Sequence, residues 1–123
     1  SIAAARLGAK SVLAVELDPV AARVCQENVH RNGVAEAVDV RAGTLGREDA
    51  PHEADVILAN ITIASLLELH PRLANHLAPG GVAVLSGVLA ERADELLCAL
   101  GEAGWRHERT EQEQDWVALY VRR

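Results

Sequence analysis

The chain has 123 residues, half of them hydrophobic, and carries a net charge of −6. That length bounds it to one domain at most, with apolar content enough for a core and no low-complexity tract to suggest disorder. The acidic balance argues against a nucleic-acid-binding face, and no apolar run reaches the length of a membrane span. A cytoplasmic protein is expected.

The first stretch, Ser1–Leu7, already reads as helix, with Gly8 as its C-terminal cap. The chain contains no Met, initiator included. A start inside a helix without a methionine reads as a fragment of a longer protein. A buried strand follows over Ser11–Leu17, and its end carries two acids. Asp18-Pro19 then opens a helix to Arg31: the short carboxylate caps free N–H groups, and proline lacks an N–H that would go unpaired at the first position. Glu16 has no such task. An acid in an apolar strand is costly unless something pairs with it. At the carboxyl end of a strand in an open α/β sheet, such an acid takes nucleotide ribose hydroxyls. The plainer reading is an exposed acid at a strand end.

In the helix, Ala21, Val24, Cys25 and Val29 recur on one face, and Asn32-Gly33 stops it. A second strand over Ala37–Arg41 leads into the loop Gly43-Thr44-Leu45-Gly46, and Arg47–Glu53 reads as polar surface connection. Ala54–Ile61 is a near-continuous apolar run, the mark of a strand buried on both faces in a parallel sheet. Asn60 near its end could cap the next helix, which holds Ile63, Leu66, Leu67, Leu73 and Leu77. Pro71 either kinks that helix or starts a second one. Pro79-Gly80-Gly81 reads as a turn, Val82–Val88 as a strand, and Glu91–Ala103 as a helix ending at Gly104. Trp105–Thr110 and Trp116–Val121 are strand-like runs separated only by Glu111–Asp115. A parallel crossover needs a dozen residues or more, so this pair is antiparallel. The expected fold is α/β: a doubly wound, mostly parallel sheet closed by an antiparallel hairpin.

Cys25 and Cys98 lie far apart with no C-x-x-C, and read as two buried free thiols in a reduced compartment. The histidines show no metal-ligand spacing, so no metal site is expected, and no nucleophile-elbow or P-loop motif points to a hydrolase or kinase. Asp39 is assigned no role.

Taken in order, V-L-A-V-E-L-D-P, E-N-V-H-R-N-G-V, A-D-V-I-L-A-N-I, L-A-P-G-G-V-A-V-L-S-G-V, E-A-G-W and D-W-V-A-L resemble a class I S-adenosylmethionine-dependent methyltransferase. More narrowly, they are similar to the C-terminal catalytic domain of the PrmA type, which methylates a large-subunit ribosomal protein. The resemblance covers essentially the whole chain, taken as one partial catalytic domain over 1–123. It implies a Rossmann-like sheet whose first strand and glycine-rich loop would precede Ser1, leaving a gap where the cofactor sits. It places Glu16 where the family usually has an aspartate holding the ribose hydroxyls, and Asn60 beside the reactive end of the cofactor. Thr44 falls in the loop that passes the adenine in such folds. No catalytic residue and no general base are assigned.

The resemblance further implies methyl transfer from S-adenosylmethionine to lysine or N-terminal amines of a ribosomal protein. A missing N-terminal domain would recognise that protein, and this chain alone would be inactive. Two alternatives stand beside it. One is a class I methyltransferase for rRNA or a small molecule; the planar-amine branch is disfavoured because Asn60-Ile61-Thr62-Ile63 replaces N-P-P-Y. The other is a non-catalytic nucleotide-binding or structural remnant.

Overall fold

The computed structural model describes residues 1–46 and 53–123. The expected connection at Arg47–Glu53 lies outside the described residues except for Glu53, as does His52. The chain divides into two compact units, residues 1–49 and 50–123.

The first unit runs α1 (Ile2–Arg6), β1 (Val12–Glu16), α2 (Pro19–Arg31) and β2 (Val38–Ala42). β1 and β2 pair in parallel from Val12↔Val38 to Glu16↔Ala42. The junction into α2 forms as its residues dictate: Asp18 Oδ1 accepts the Val20 N–H at 2.8 Å, and Pro19 takes the first helical position. Asn32 caps the far end with right-handed backbone, and only Gly33 takes the left-handed region, at φ +67°. Ala22, Val29 and Val38 are buried here. Val24, expected on the inner face, is exposed. Both cysteines are free, but Cys25 is only half-buried and Cys98 is exposed, so the expectation of two buried thiols is corrected. Asp39 is exposed and pairs with Arg41 at 2.9 Å.

The second unit holds β3 (Ala54–Asn60), α3 (Ile63–His76), β4 (Leu77–Leu89), a 3-10 turn at Ala90–Arg92, α4 (Ala93–Glu102), β5 (Arg106–Glu113) and β6 (Trp116–Arg122). Its sheet has the order β3-β4-β6-β5. β3 and β4 are parallel, while β6 runs antiparallel to both β4 and β5. The α/β class, the parallel pairs joined through helices and the closing hairpin therefore stand. The described strands form two sheets, of two and four strands.

Alternation along β6 sets the layers. Val117, Leu119 and Val121 are buried with Ala83, Leu85 and Val88 of β4, against Leu66 and Leu73 of α3 and Leu96 and Leu100 of α4. On the opposite face a cross-strand row runs Leu58, Val84, Tyr120, Arg109. There Arg109 lies 3.8 Å from the Tyr120 ring centroid and pairs with Glu111, which also accepts the Tyr120 hydroxyl.

Pro71 lies inside one continuous α3, so it starts no second helix. Three local readings change. Pro79-Gly80-Gly81 is not a free turn but lies within β4. There the partners jump from Ala54↔Leu77 to Val56↔Val82, so extra residues of β4 loop out as a bulge. Arg122 holds that bulge, donating to the carbonyls of Gly80 and Gly81. The expected Glu91–Ala103 helix is a 3-10 turn followed by α4, joined by a bidentate Arg92–Glu95 ion pair. The hairpin strands also run closer than expected: Glu113 pairs with Trp116, leaving only Gln114 and Asp115 to turn, with Gln114 at φ 54°.

His70 in α3 has its Nδ1 buried without a partner among the described residues, and burial lowers its pKa from 6.5. The neutral ring is therefore favoured in the folded state. Its stabilisation is fully present above the unfolded pKa and is lost as pH falls below it, because the unfolded chain takes up the proton first. Urea melts at about pH 7.5 and about pH 5.5 should show lower stability at the acid end, and His70→Gln should shrink that difference. An unchanged slope in the variant would assign the pH dependence to other groups.

Candidate functional site

In the first unit, Glu16 stands at the carboxyl end of β1, exposed, and its Oε1 accepts the Asp18 N–H at 3.1 Å. The acid is thus not buried in the strand. Its second carboxylate oxygen has no partner among the described residues. The chain returns to the same sheet end: the Gly43 N–H donates to the Glu16 carbonyl at 2.8 Å, and exposed Thr44 follows directly. Glu16 and Thr44 are therefore brought to one end of the β1–β2 pair, the end where open α/β sheets bind ligands.

Asn60 belongs to the second unit, as the last residue of β3, opposite Ser86. The capping task that its sequence position allowed is taken by Thr62, whose hydroxyl accepts the Ser65 N–H at 3.3 Å and bonds the Ser65 hydroxyl at 3.0 Å. Asn60 is exposed, and its carboxamide has no hydrogen-bond partner among the described residues. A polar group released from local structure at a strand end is available to a ligand.

Asn60, Thr62, Ser86, Gly87, Glu113 and Trp116 line a cleft of about 910 Å³. Its geometry depends on how closely β4 passes the end of β3. Gly87 has φ +80°, and a Cβ there would lie 2.6 Å from the Ile61 carbonyl oxygen and 2.9 Å from Asn60 Oδ1. Trp116, 53% exposed, supplies a large apolar wall. Of the acids on this rim, Glu111 is compensated by Arg109 and Tyr120, whereas Glu113 has no partner among the described residues. The cleft thus offers amide and backbone acceptors, an indole surface and one free carboxylate: a chemistry suited to an amine or its ammonium form.

Of the residues lining this cleft, sequence reasoning singled out Asn60 and passed over Gly87, Glu113 and Trp116. The signal for Trp116 lay in the alternation of W-V-A-L-Y-V, which sets it on the face opposite Val117, Leu119 and Val121. Gly87 could be found only from the β3–β4 register. Among the described residues no group of three or more His, Cys, Asp or Glu is placed to hold a metal ion. No helix among them is long and apolar enough to cross a membrane.

Set against known proteins, residues 1–123 match the family model described as ribosomal protein L11 methyltransferase (PrmA). A relative of that name from Pelotomaculum thermopropionicum is 44% identical over 122 residues, covering 99% of this chain and 39% of that protein. One from Heliobacterium modesticaldum is 42% identical over 123 residues, covering 100% of this chain and 39% of that protein. Among solved structures, a ribosomal protein L11 methylase from Lactobacillus delbrueckii subsp. bulgaricus superposes with a TM-score of 0.88 at 32% identity, over 99% of this chain and 62% of that one. An RNA methyltransferase from Salinibacter ruber, solved with S-adenosyl-L-homocysteine, shares the fold at a TM-score of 0.72 and 24% identity, over 97% of this chain and 69% of that one. The chain spans 39% of the length of the first two of these relatives.

Proposed function

Because the chain belongs to the ribosomal protein L11 methyltransferase (PrmA) family, we propose that it forms part of a catalytic domain for methylating ribosomal protein amines. The donor is S-adenosylmethionine, the acceptor a lysine side chain or N-terminal amine of a large-subunit ribosomal protein, and the place of action the cytoplasm. Recognition of the ribosomal protein through a separate N-terminal domain, and residues 1–123 as one partial catalytic domain, belong to the same proposal.

The observation that carries the reading is the Asn60 cleft, whose exposed carboxamide lies beside Trp116 and Glu113 with no other partner among the described residues. In the first unit the residues present fit part of the cofactor. Glu16 is exposed at the carboxyl end of β1, with one carboxylate oxygen spent on Asp18 and the other free among the described residues to take a hydroxyl. Thr44, one residue past the Gly43–Glu16 backbone bond, takes the adenine side in this proposal. The bound cofactor supplies a methyl group activated on a sulfonium, ready for direct displacement.

The chain's own residues supply orientation. Asn60 Oδ1 and the Ile61 carbonyl are acceptors that can align the N–H bonds of an incoming amine. The Trp116 ring and the Glu113 carboxylate draw its cationic form into the cleft. An rRNA acceptor is disfavoured by the net charge of −6 and by this acidic rim.

Calorimetric titration with S-adenosylmethionine tests the reading on two proteins: this chain, and this chain joined to the sequence encoded upstream of it. Tight binding in the extended protein is expected, with weak or no binding in the chain alone. An extended protein that binds no cofactor would remove the enzyme reading and leave a doubly wound scaffold.

A further inference from the structure

We propose that Gly87 is a positioning residue for the amine site: its bare Cα is the seat on which the Asn60 carboxamide and the Ile61 carbonyl are held at the cleft. The inference rests on the reading of Asn60 given above.

Four observations meet at this residue. Gly87 adopts φ +80°, a region that L side chains rarely enter. A Cβ would meet Ile61 O at 2.6 Å, Asn60 Oδ1 at 2.9 Å and Ile61 C at 3.2 Å, and two of these three are backbone atoms that no rotamer change can move. The β4–β6 ladder breaks its register between Leu85 and Val88, so β4 is irregular just where it passes Asn60. The Ile61 N–H donates to the Ser86 carbonyl at 3.2 Å, which ties the end of β3 to the residue before Gly87.

The Asn60 carboxamide makes no hydrogen bond among the described residues, so close packing over Gly87 is what sets its amide oxygen in place. Any side chain at position 87 pushes Oδ1 and the Ile61 carbonyl away together. Gly81 is the contrast. A Cβ there would meet Leu77 Cδ1 at 2.8 Å, Ala78 O at 2.9 Å and Asp55 O at 3.0 Å, near the other end of β4 and away from the cleft lining. Its crowding supports the strand and bears on no site residue.

The experiment is a double-mutant cycle in the chain joined to its upstream sequence, following radiolabelled methyl transfer from S-adenosylmethionine to ribosomal protein L11. Gly87→Ala is expected to lower kcat on the order of 10²-fold, the scale of a misplaced reacting group, with KM for S-adenosylmethionine unchanged. Asn60→Ala should lower kcat comparably. The double variant should be no worse than the poorer single one, since both changes remove one interaction. Gly81→Ala should lower the melting temperature, and any kcat loss it brings should multiply with that of Asn60→Ala.

Multiplying losses for Gly87→Ala and Asn60→Ala would overturn the positioning role while leaving the Asn60 reading intact. Full kcat in Asn60→Ala would overturn both. If Gly87→Ala does not fold, ¹⁵N relaxation of the Asn60 carboxamide in the unmodified protein decides. An order parameter near ~0.85 supports a seated amide, and one below ~0.6 overturns it.

Discussion

Leu85→Ala is expected to destabilise the second unit by about 3–5 kcal/mol, the range for a truncated leucine in a core that cannot collapse around the gap. Leu85 is fully buried in β4, with Ala59 opposite it on one side and Leu119 on the other. Its neighbours are held by backbone ladders on both sides, so little can move in to fill the space. For a unit of this size each kcal/mol shifts the melting temperature by about 4–8 °C, which puts the variant more than about 10 °C below the parent. Leu58→Ala is the matched control. It lies on the same sheet, but on edge strand β3 and 62% exposed. Its effect should stay within about 0.5 kcal/mol. Equal losses at the two positions would mean that Leu58 is covered in solution and that the sheet does not end at β3.

What the sequence shows clearly in this chain is what neighbours in sequence decide. Asp18-Pro19 could be read because cap and first helical residue act within one turn, and both do so at the expected atoms. The apolar run Ala54–Ile61 could be read as a strand of a parallel pair, which it is, but the burial on both faces that such a run implies is not found: Val56 and Leu58 are exposed. The terminal hairpin followed from chain length alone, since the connection was too short for any other pairing. The misreadings have causes remote in sequence. Pro79-Gly80-Gly81 carries every local mark of a turn, yet it is held within β4 by Arg122, more than forty residues on. The site divides in the same way. Glu16 and Asn60 were visible as polar residues ending apolar runs, a conflict within their own strands. Gly87 and Glu113 break no local pattern and acquire meaning only through cross-strand register.

Glu16→Ala is expected to weaken S-adenosylmethionine binding by the extended protein on the order of 10²-fold, as charge-assisted hydrogen bonding worth about 3 kcal/mol is lost. The carboxylate also has a local bond, Oε1 to the Asp18 N–H at 3.1 Å, so alanine removes two things together. Glu16→Gln separates them. The amide oxygen can still accept the Asp18 N–H, while the charge is gone, and affinity should fall by roughly tenfold with the melting temperature unchanged. Glu16→Asp tests reach. A shorter carboxylate readily accepts the N–H two residues on, so the turn into α2 should survive, and the charge stays at the strand end. Most of the affinity should therefore remain, in keeping with the aspartate that the resemblance implies is usual at this place. The competing account, an exposed acid with only a local bond, makes the opposite forecast. It requires Glu16→Ala to lose a little stability and no affinity, and Glu16→Gln to lose neither. The titrations thus distinguish a ligand-holding carboxylate from a turn-holding one, because only the first is sensitive to charge when the local hydrogen bond is kept.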